Sequence, residues 1–241
     1  MIQRPGLALL ALLTLSACGG DPVEQIAVTV PDGIDVPVDM AYIPAGTFFM
    51  GSEKDPKTRL GEKVDLPHFL IDRYEITRGD FQKWQTDYHV PPGKEAYPAS
   101  EVTYGEAAGY CKSRGKRLPT EAEWEKAARG TDRRKWPWGL YRDHPNNGFS
   151  GFLPEKVDAR EEWISPYGVH GMGHNVWEWV AGDWDYNGMP GSERGRFKVI
   201  RGGLYQSHLK IDFSATYQRN FMPPDARYNF LGFRCARGLE P

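Results

Sequence analysis

The chain has 241 residues, 40% of them hydrophobic and 26% charged, which is enough for one sizeable core. A formal charge of −2 and a pI near 6.3 leave no basic excess to neutralise a phosphate backbone, so nucleic acid is excluded as a partner. Aromatics at 13%, with 27 Gly and 19 Pro, predict a loop-rich fold with an aromatic core and few regular helices.

In chain order, residues 1–18 come first and read as an export signal. Arg4 precedes the apolar run "GLALLALLTLSA", too short to span a bilayer and matching a secretory h-region. Leu15, Ser16, Ala17 and Cys18 resemble the bacterial lipobox, which makes Cys18 the lipidation site. The alternative is a plain signal peptide cut near Ala17. Gly19, rather than Asp, after Cys18 points to the outer membrane, with the domain in the periplasm or at the cell surface. In that oxidising setting Cys111 and Cys235 either bridge or remain two separately buried thiols. Residues 19–38, rich in Pro and Asp, read as a tether that lifts the domain off the membrane, and the folded domain is assigned to 39–241.

"MAYIPAGTFFMGS" carries a hairpin signal at Pro44-Ala45-Gly46. "PHFLIDRYEITRGDFQKWQTDYH" changes from strand to helix at Thr77, with Phe81, Trp84 and Tyr88 at helical spacing. Thr103 with Glu106, and Thr120 with Glu123, form capping boxes that open two short helices, the second stopped by Gly130. From residue 131 onward turns separate brief aromatic strands. The pattern is α+β, with small antiparallel sheets and long structured loops.

Within "SPYGVHGMGHNVWEWVAGDWD", a strand at "NVWEWV" puts Trp177 and Trp179 on one face and Val176, Glu178 and Val180 on the other. A carboxylate between two valines needs a partner if that face is buried. The partner is an Arg, such as Arg201 or Arg234, or a hard cation such as Ca²⁺.

The segments "IPAGTFFMGS", "DRYEITRGDF", "YPASEVTYGEAAGYCKSRGKRLPTEAEWEKAARG", "WPWG", "GHNVWEWV", "VIRGG" and "LGFRCAR" occur in the order seen in the formylglycine-generating enzyme (sulfatase-modifying factor) family, which the chain resembles from about residue 40 to 237. The resemblance implies the C-type-lectin-like variant of α+β and a disulfide between Cys111 and Cys235. Active members oxidise a sulfatase cysteine with a copper ion held on two thiolates, which lie four and nine residues after the second Gly of RGG. Counted from Gly203, those positions are Ser207 and Asp212, and the Ser common after RGG is Leu204. A hydroxyl and a carboxylate do not supply the soft sulfur pair that stabilises Cu(I), so copper and formylglycine formation are not expected.

The family's calcium sites map to Asn147 and Gly148, and to His174, Val176 and Glu178. Position 171, an Asp or Asn in the family, is Gly, and a family Gly is His174. Two function classes follow. As a binding protein, the domain would take an envelope protein, a peptide or a glycan in an aromatic groove of Glu75, Trp177, Trp179 and Tyr205, with Trp184 and Tyr186 nearby. As a periplasmic oxidoreductase similar to relatives that mature pyoverdine or assist nitrite reductase, it would hold iron on His208 and Asp212 with His170 or His174. Against iron, scattered His and Asp on a loop-rich surface are usually solvated or cap turns.

Overall fold

The computed structural model describes residues 26–53, 61–139, 154–159, 161, 163–185, 191–203, 205–206 and 211–239. The chain forms β1 (Met40–Ile43), β2 (Gly46–Met50), β3 (Glu62–Leu66), β4 (Phe69–Asp72), α1 (Arg78–Trp84), α2 (Tyr104–Ser113) and α3 (Glu121–Arg129). These are followed by β5 (Trp177–Asp183), β6 (Lys198–Gly202), β7 (Tyr205–Gln206), β8 (Ile211–Asp212), β9 (Arg219–Met222), β10 (Leu231–Phe233) and β11 (Ala236–Gly238).

Local chemistry starts each helix where the sequence places it. The Thr77 hydroxyl accepts from the Asp80 amide, and both capping boxes close, with the Glu106 and Glu123 carboxylates reaching back to the amides of Thr103 and Thr120. Gly130 ends α3 at φ 67°, and a Cβ there would press on Ile26 and Pro166 at 2.9 Å.

Strand pairing departs from the local reading in two places. The expected hairpin at Pro44–Gly46 does not form: β1 pairs with β4, β2 with β3, and Gly46 at φ 120° turns the chain from one sheet into the other. The larger sheets are ordered β1-β4-β11 and β10-β5-β6-β9, and β10 runs parallel to β5, so the second is mixed rather than antiparallel. The physical reason is the return path: after β9 the chain crosses to the far edge of the sheet and enters β10 in the direction of β5.

The buried clusters stack in layers. Ala41, Ile43, Phe69 and Ile71 face α3 residues Trp124, Ala127 and Ala128, together with Val180 and Val199 of the second sheet. On that sheet's other face Trp177, Trp179, Ile200, Leu231 and Phe233 pack under α1 and α2. The Cys111–Cys235 disulfide, with Cα atoms 5.6 Å apart, ties α2 to the chain between β10 and β11. Outside the first sheet, Met40, Tyr42 and Leu70 are covered by Val28, Ile34 and Val36.

That last layer corrects the tether assignment. Residues 26–38 do not hang free: the Ile26 amide donates to the Pro166 carbonyl, Arg237 donates to the Asp35 carbonyl, and Ile26, Val28, Ile34 and Val36 are packed, while Val30 and Val38 are exposed. Its mixture of apolar residues with Pro and Asp suits a strap laid on a surface.

Candidate functional site

The loop 170–176 is the point where the distant segments converge. Gly173 is wedged so closely that a Cβ would meet Pro137 and the Ser214 carbonyl at 2.9 Å. Asn175 holds the loop in a left-handed turn at φ 73°, a conformation Asn tolerates better than most residues. Its side chain accepts from the Glu155 amide at 2.8 Å and donates to Glu75 Oε1 at 3.1 Å. Asn175 is a loop-holding position of the candidate site that sequence reasoning missed; its signal was an Asn between His and Val at a strand entry.

Beneath the loop lies a buried group of two carboxylates and one guanidinium. Glu178 Oε2 accepts from Trp124 Nε1 and Arg234 Nε, both at 2.8 Å, and Oε1 accepts from Arg234 Nη2 at 2.7 Å. Arg234 also donates to the carbonyls of Asp72, Arg73 and His170. Of the two arginines the sequence offered as partners, Arg234 is therefore the one. Arg201, although opposite Glu178 in the β5–β6 register, turns to Glu121, Glu125 and the Thr216 carbonyl.

Glu75 is the unbalanced member. Its Oε2 has no hydrogen-bond partner and lies 3.8 Å from Arg234 Nη2, while its carboxyl fills the space over Gly171, where a Cβ would come within 2.4 Å. Glu178, with three donors, is the carboxylate that Arg234 engages directly. Burial pushes Glu75 up to about 7, against the pull of Arg234 and with a further push from Glu178.

These contacts define the donor set at one of the two family calcium positions. At His174, Val176 and Glu178 the carboxylate is already engaged at both oxygens by a guanidinium and an indole, and position 171 offers no side-chain oxygen. As it stands, this donor set falls short of the six to eight oxygens that a hard cation takes. Asn147 and Gly148 lie outside the described residues, as do Ser207 and His208.

Against the loop packs an aromatic cluster in which Trp163 and His174 are buried and Trp138 is half-buried. Trp163 stacks on Trp138 with centroids 5.1 Å apart, and His174 meets the Trp163 ring edge-on at 5.0 Å. His170 is elsewhere, stacked at 4.6 Å on Tyr74, and burial together with Arg234 and Arg73 pushes it down to about 4. The two histidines thus have different neighbours. Among the described residues no group of three or more His, Cys, Asp and Glu is arranged to hold a metal. Asp212 pairs with Tyr205 through β8 and β7, and the side chains of both lie outside the description.

The aromatic groove is also corrected. Trp179 is fully buried, with its indole N–H on the Val102 carbonyl, and Glu75 is buried beneath the loop. Trp177 is almost buried, against Phe213 and so close to Gly203 that a Cβ there would come within 2.5 Å of its indole. Burial of β5 on both faces turned Trp177 and Trp179 into core.

A small α+β domain with a C-type-lectin-like frame, a convergence loop over buried charge and an RGG turn against a tryptophan defines the class. The chain belongs to the sulfatase-modifying factor enzyme 1-like domain family, whose model matches residues 29–239. It is similar to the uncharacterised protein YfmG of Bacillus subtilis, at 26% identity over 90% of this chain, and spans only 56% of YfmG's length. It is 29% identical to the formylglycine-generating enzyme of Thermomonospora curvata, with 82% and 92% of the two chains covered. The inactive C-alpha-formylglycine-generating enzyme 2 of Bos taurus is 28% identical, with 97% of each covered. Among solved structures, PvdO from Pseudomonas aeruginosa superposes with a TM-score of 0.67 at 26% identity, over 83% of this chain and 94% of that one.

Proposed function

We propose that the protein is an accessory or binding protein, anchored in the outer membrane through Cys18 and lacking formylglycine-generating activity. The observation that carries this reading is the replacement of the family's two copper-binding sulfurs by Ser207 and Asp212 within an otherwise intact frame. Similarity across nearly the whole chain to a relative described as inactive supports it. Trp177, Trp179, Trp163 and His174 are all buried, so a surface offered to an envelope protein, peptide or glycan would present the half-buried Trp138, which stacks on Trp163.

The test is a competition for Cu(I) against a chromophoric chelator, together with incubation of a sulfatase-type cysteine peptide under oxygen. The expected result is no stoichiometric copper and no aldehyde. Copper at one equivalent with conversion of the peptide would overturn the reading.

The likeness to PvdO favours a second reading, a periplasmic oxidoreductase that holds iron on His208 and Asp212 with His170 or His174. It predicts that anaerobic Fe(II) binds at one equivalent and that His208→Ala abolishes the binding without unfolding the protein. Absence of such binding would dismiss it.

A further inference from the structure

We infer that Trp184, Phe197 and Phe221 form a carbohydrate-binding platform at the edge of the second sheet, suited to a neutral oligosaccharide of glucose configuration. The inference rests on the proposed binding function and deepens it, committing the ligand to a glycan and placing it on these rings rather than on Trp138.

The three rings come from separate segments and meet at one place. Trp184 follows β5, Phe197 precedes β6, and Phe221 lies on β9, the outer strand of its sheet among the described residues. The Phe221 ring centroid is 4.8 Å from that of Trp184 and 5.0 Å from that of Phe197. The Trp184 amide donates to the Phe197 carbonyl at 2.9 Å, so the two flanking segments are fixed to each other before any ligand arrives. None of the three is buried, and Phe221 is 38% exposed. Large apolar side chains gathered in this way at a surface mark a place of contact.

The groups beside the rings select the ligand. Arg219 stands two residues before Phe221, on the same face of β9, with its guanidinium carbon 4.8 Å from the Trp184 ring centre. It donates to Glu121 and reaches Asp185 Oδ1 at 3.5 Å, so its charge is balanced by carboxylates. The Asp185 side chain is 65% exposed and offers acceptors beside Trp184, while the exposed Arg196 offers donors beside Phe197, its guanidinium carbon 5.8 Å from that ring centre. A lipid chain laid here would strand these polar groups. A peptide adding to β9 as a further strand would meet a blunted edge: the Phe221 amide is taken by Asn220 Oδ1 at 2.9 Å, and Pro223 and Pro224 follow the strand with no N–H to give. A pyranose answers both requirements. Its ring hydrogens present an apolar face to an aromatic ring, and its hydroxyls both donate and accept. The glucose configuration, with its ring hydroxyls equatorial, leaves the widest such face.

The experiment uses the full chain in a zwitterionic, sugar-free detergent, with cellotetraose as the probe and mannitol, which has hydroxyls but no ring face, as the control. Saturation-transfer NMR should show transfer to the axial ring hydrogens of cellotetraose and none to mannitol. Phe221→Leu, which keeps an apolar side chain but no ring, should weaken cellotetraose binding about tenfold, whereas Phe221→Tyr should bind as the wild type does. No transfer to cellotetraose, equal transfer to mannitol, or Phe221→Leu binding as tightly as the wild type would overturn the inference. The wider reading fails separately: one equivalent of copper with conversion of the sulfatase-type peptide would overturn the proposed function, whatever the sugar result.

Discussion

Replacing Glu75 by Gln removes a titration that burial has moved into the neutral range with no hydrogen-bonded counter-charge. In the folded protein Glu75 titrates at about 7, against an ordinary value of 4.5. Below pH 4.5 both folded and unfolded chains carry the proton and the group contributes nothing. Between 4.5 and 7 the unfolded chain releases its proton while the folded one retains it, so stability falls as pH rises. Above 7 both are ionised and the full cost remains. At about 1.4 kcal/mol for each pH unit, that window amounts to about 3 kcal/mol. Gln keeps the acceptor for Asn175 Nδ2 and does not ionise. The advantage of Glu75→Gln over wild type should therefore grow by about 3 kcal/mol from pH 4.5 to 8, whatever other groups do in both proteins. Urea unfolding of the two proteins, followed by tryptophan fluorescence at several pH values, measures it. A stability difference that stays constant within about 0.5 kcal/mol across the range would refute the reasoning, because Glu75 would then titrate alike in both states.

Three further outcomes are expected. Opening the buried Cys111–Cys235 bridge by replacing both cysteines with Ser should cost up to about 5 kcal/mol from loop entropy, read as a lower urea midpoint, since the two lie 124 residues apart. Gly171→Ala should destabilise by about 2 kcal/mol or more, from its φ of 78° and the Glu75 carboxyl at 2.4 Å; Glu75→Ala should recover part of the loss in a double-mutant cycle. Millimolar calcium should leave the melting temperature of the wild type where EGTA leaves it, and a rise that Glu178→Gln abolishes would show that Arg234 yields its place to a cation.

The parts of the fold that sequence exposed are those whose causes are local. Thr77, Thr103 and Thr120 each stand three residues before the acidic partner that closes the cap, and no distant contact is needed to place them. Pro44-Ala45-Gly46 carried an equally local signal, yet it did not produce a hairpin. Whether β1 and β2 pair depends on which strand lies beside each, and β4 and β3 arrive later in the chain. The Pro- and Asp-rich strap misled for the same reason: its composition has no period of its own, and its apolar residues become meaningful only once β1 and β4 present Met40, Tyr42 and Leu70 to be covered.

The site follows the same division. Alternation in "NVWEWV" correctly separated Trp177 and Trp179 from Glu178, and the need to satisfy a buried carboxylate correctly demanded a partner. Neither argument could choose between Arg201 and Arg234, because the choice depends on α3. Its Glu121 and Glu125 draw Arg201 away, while its Trp124 adds a donor to Glu178 and leaves Arg234 as the only guanidinium within reach of that carboxylate among the described residues. Glu75 shows the limit most clearly. Gly171 and Glu75 are far apart in the chain, and each is unremarkable alone; together they fill the space where a family member with Asp or Asn at 171 would place another acidic or amide side chain. A loop that family members build around an ion is held here by Asn175, Arg234 and a carboxyl that favours its proton, so its geometry should persist without metal and respond to pH instead.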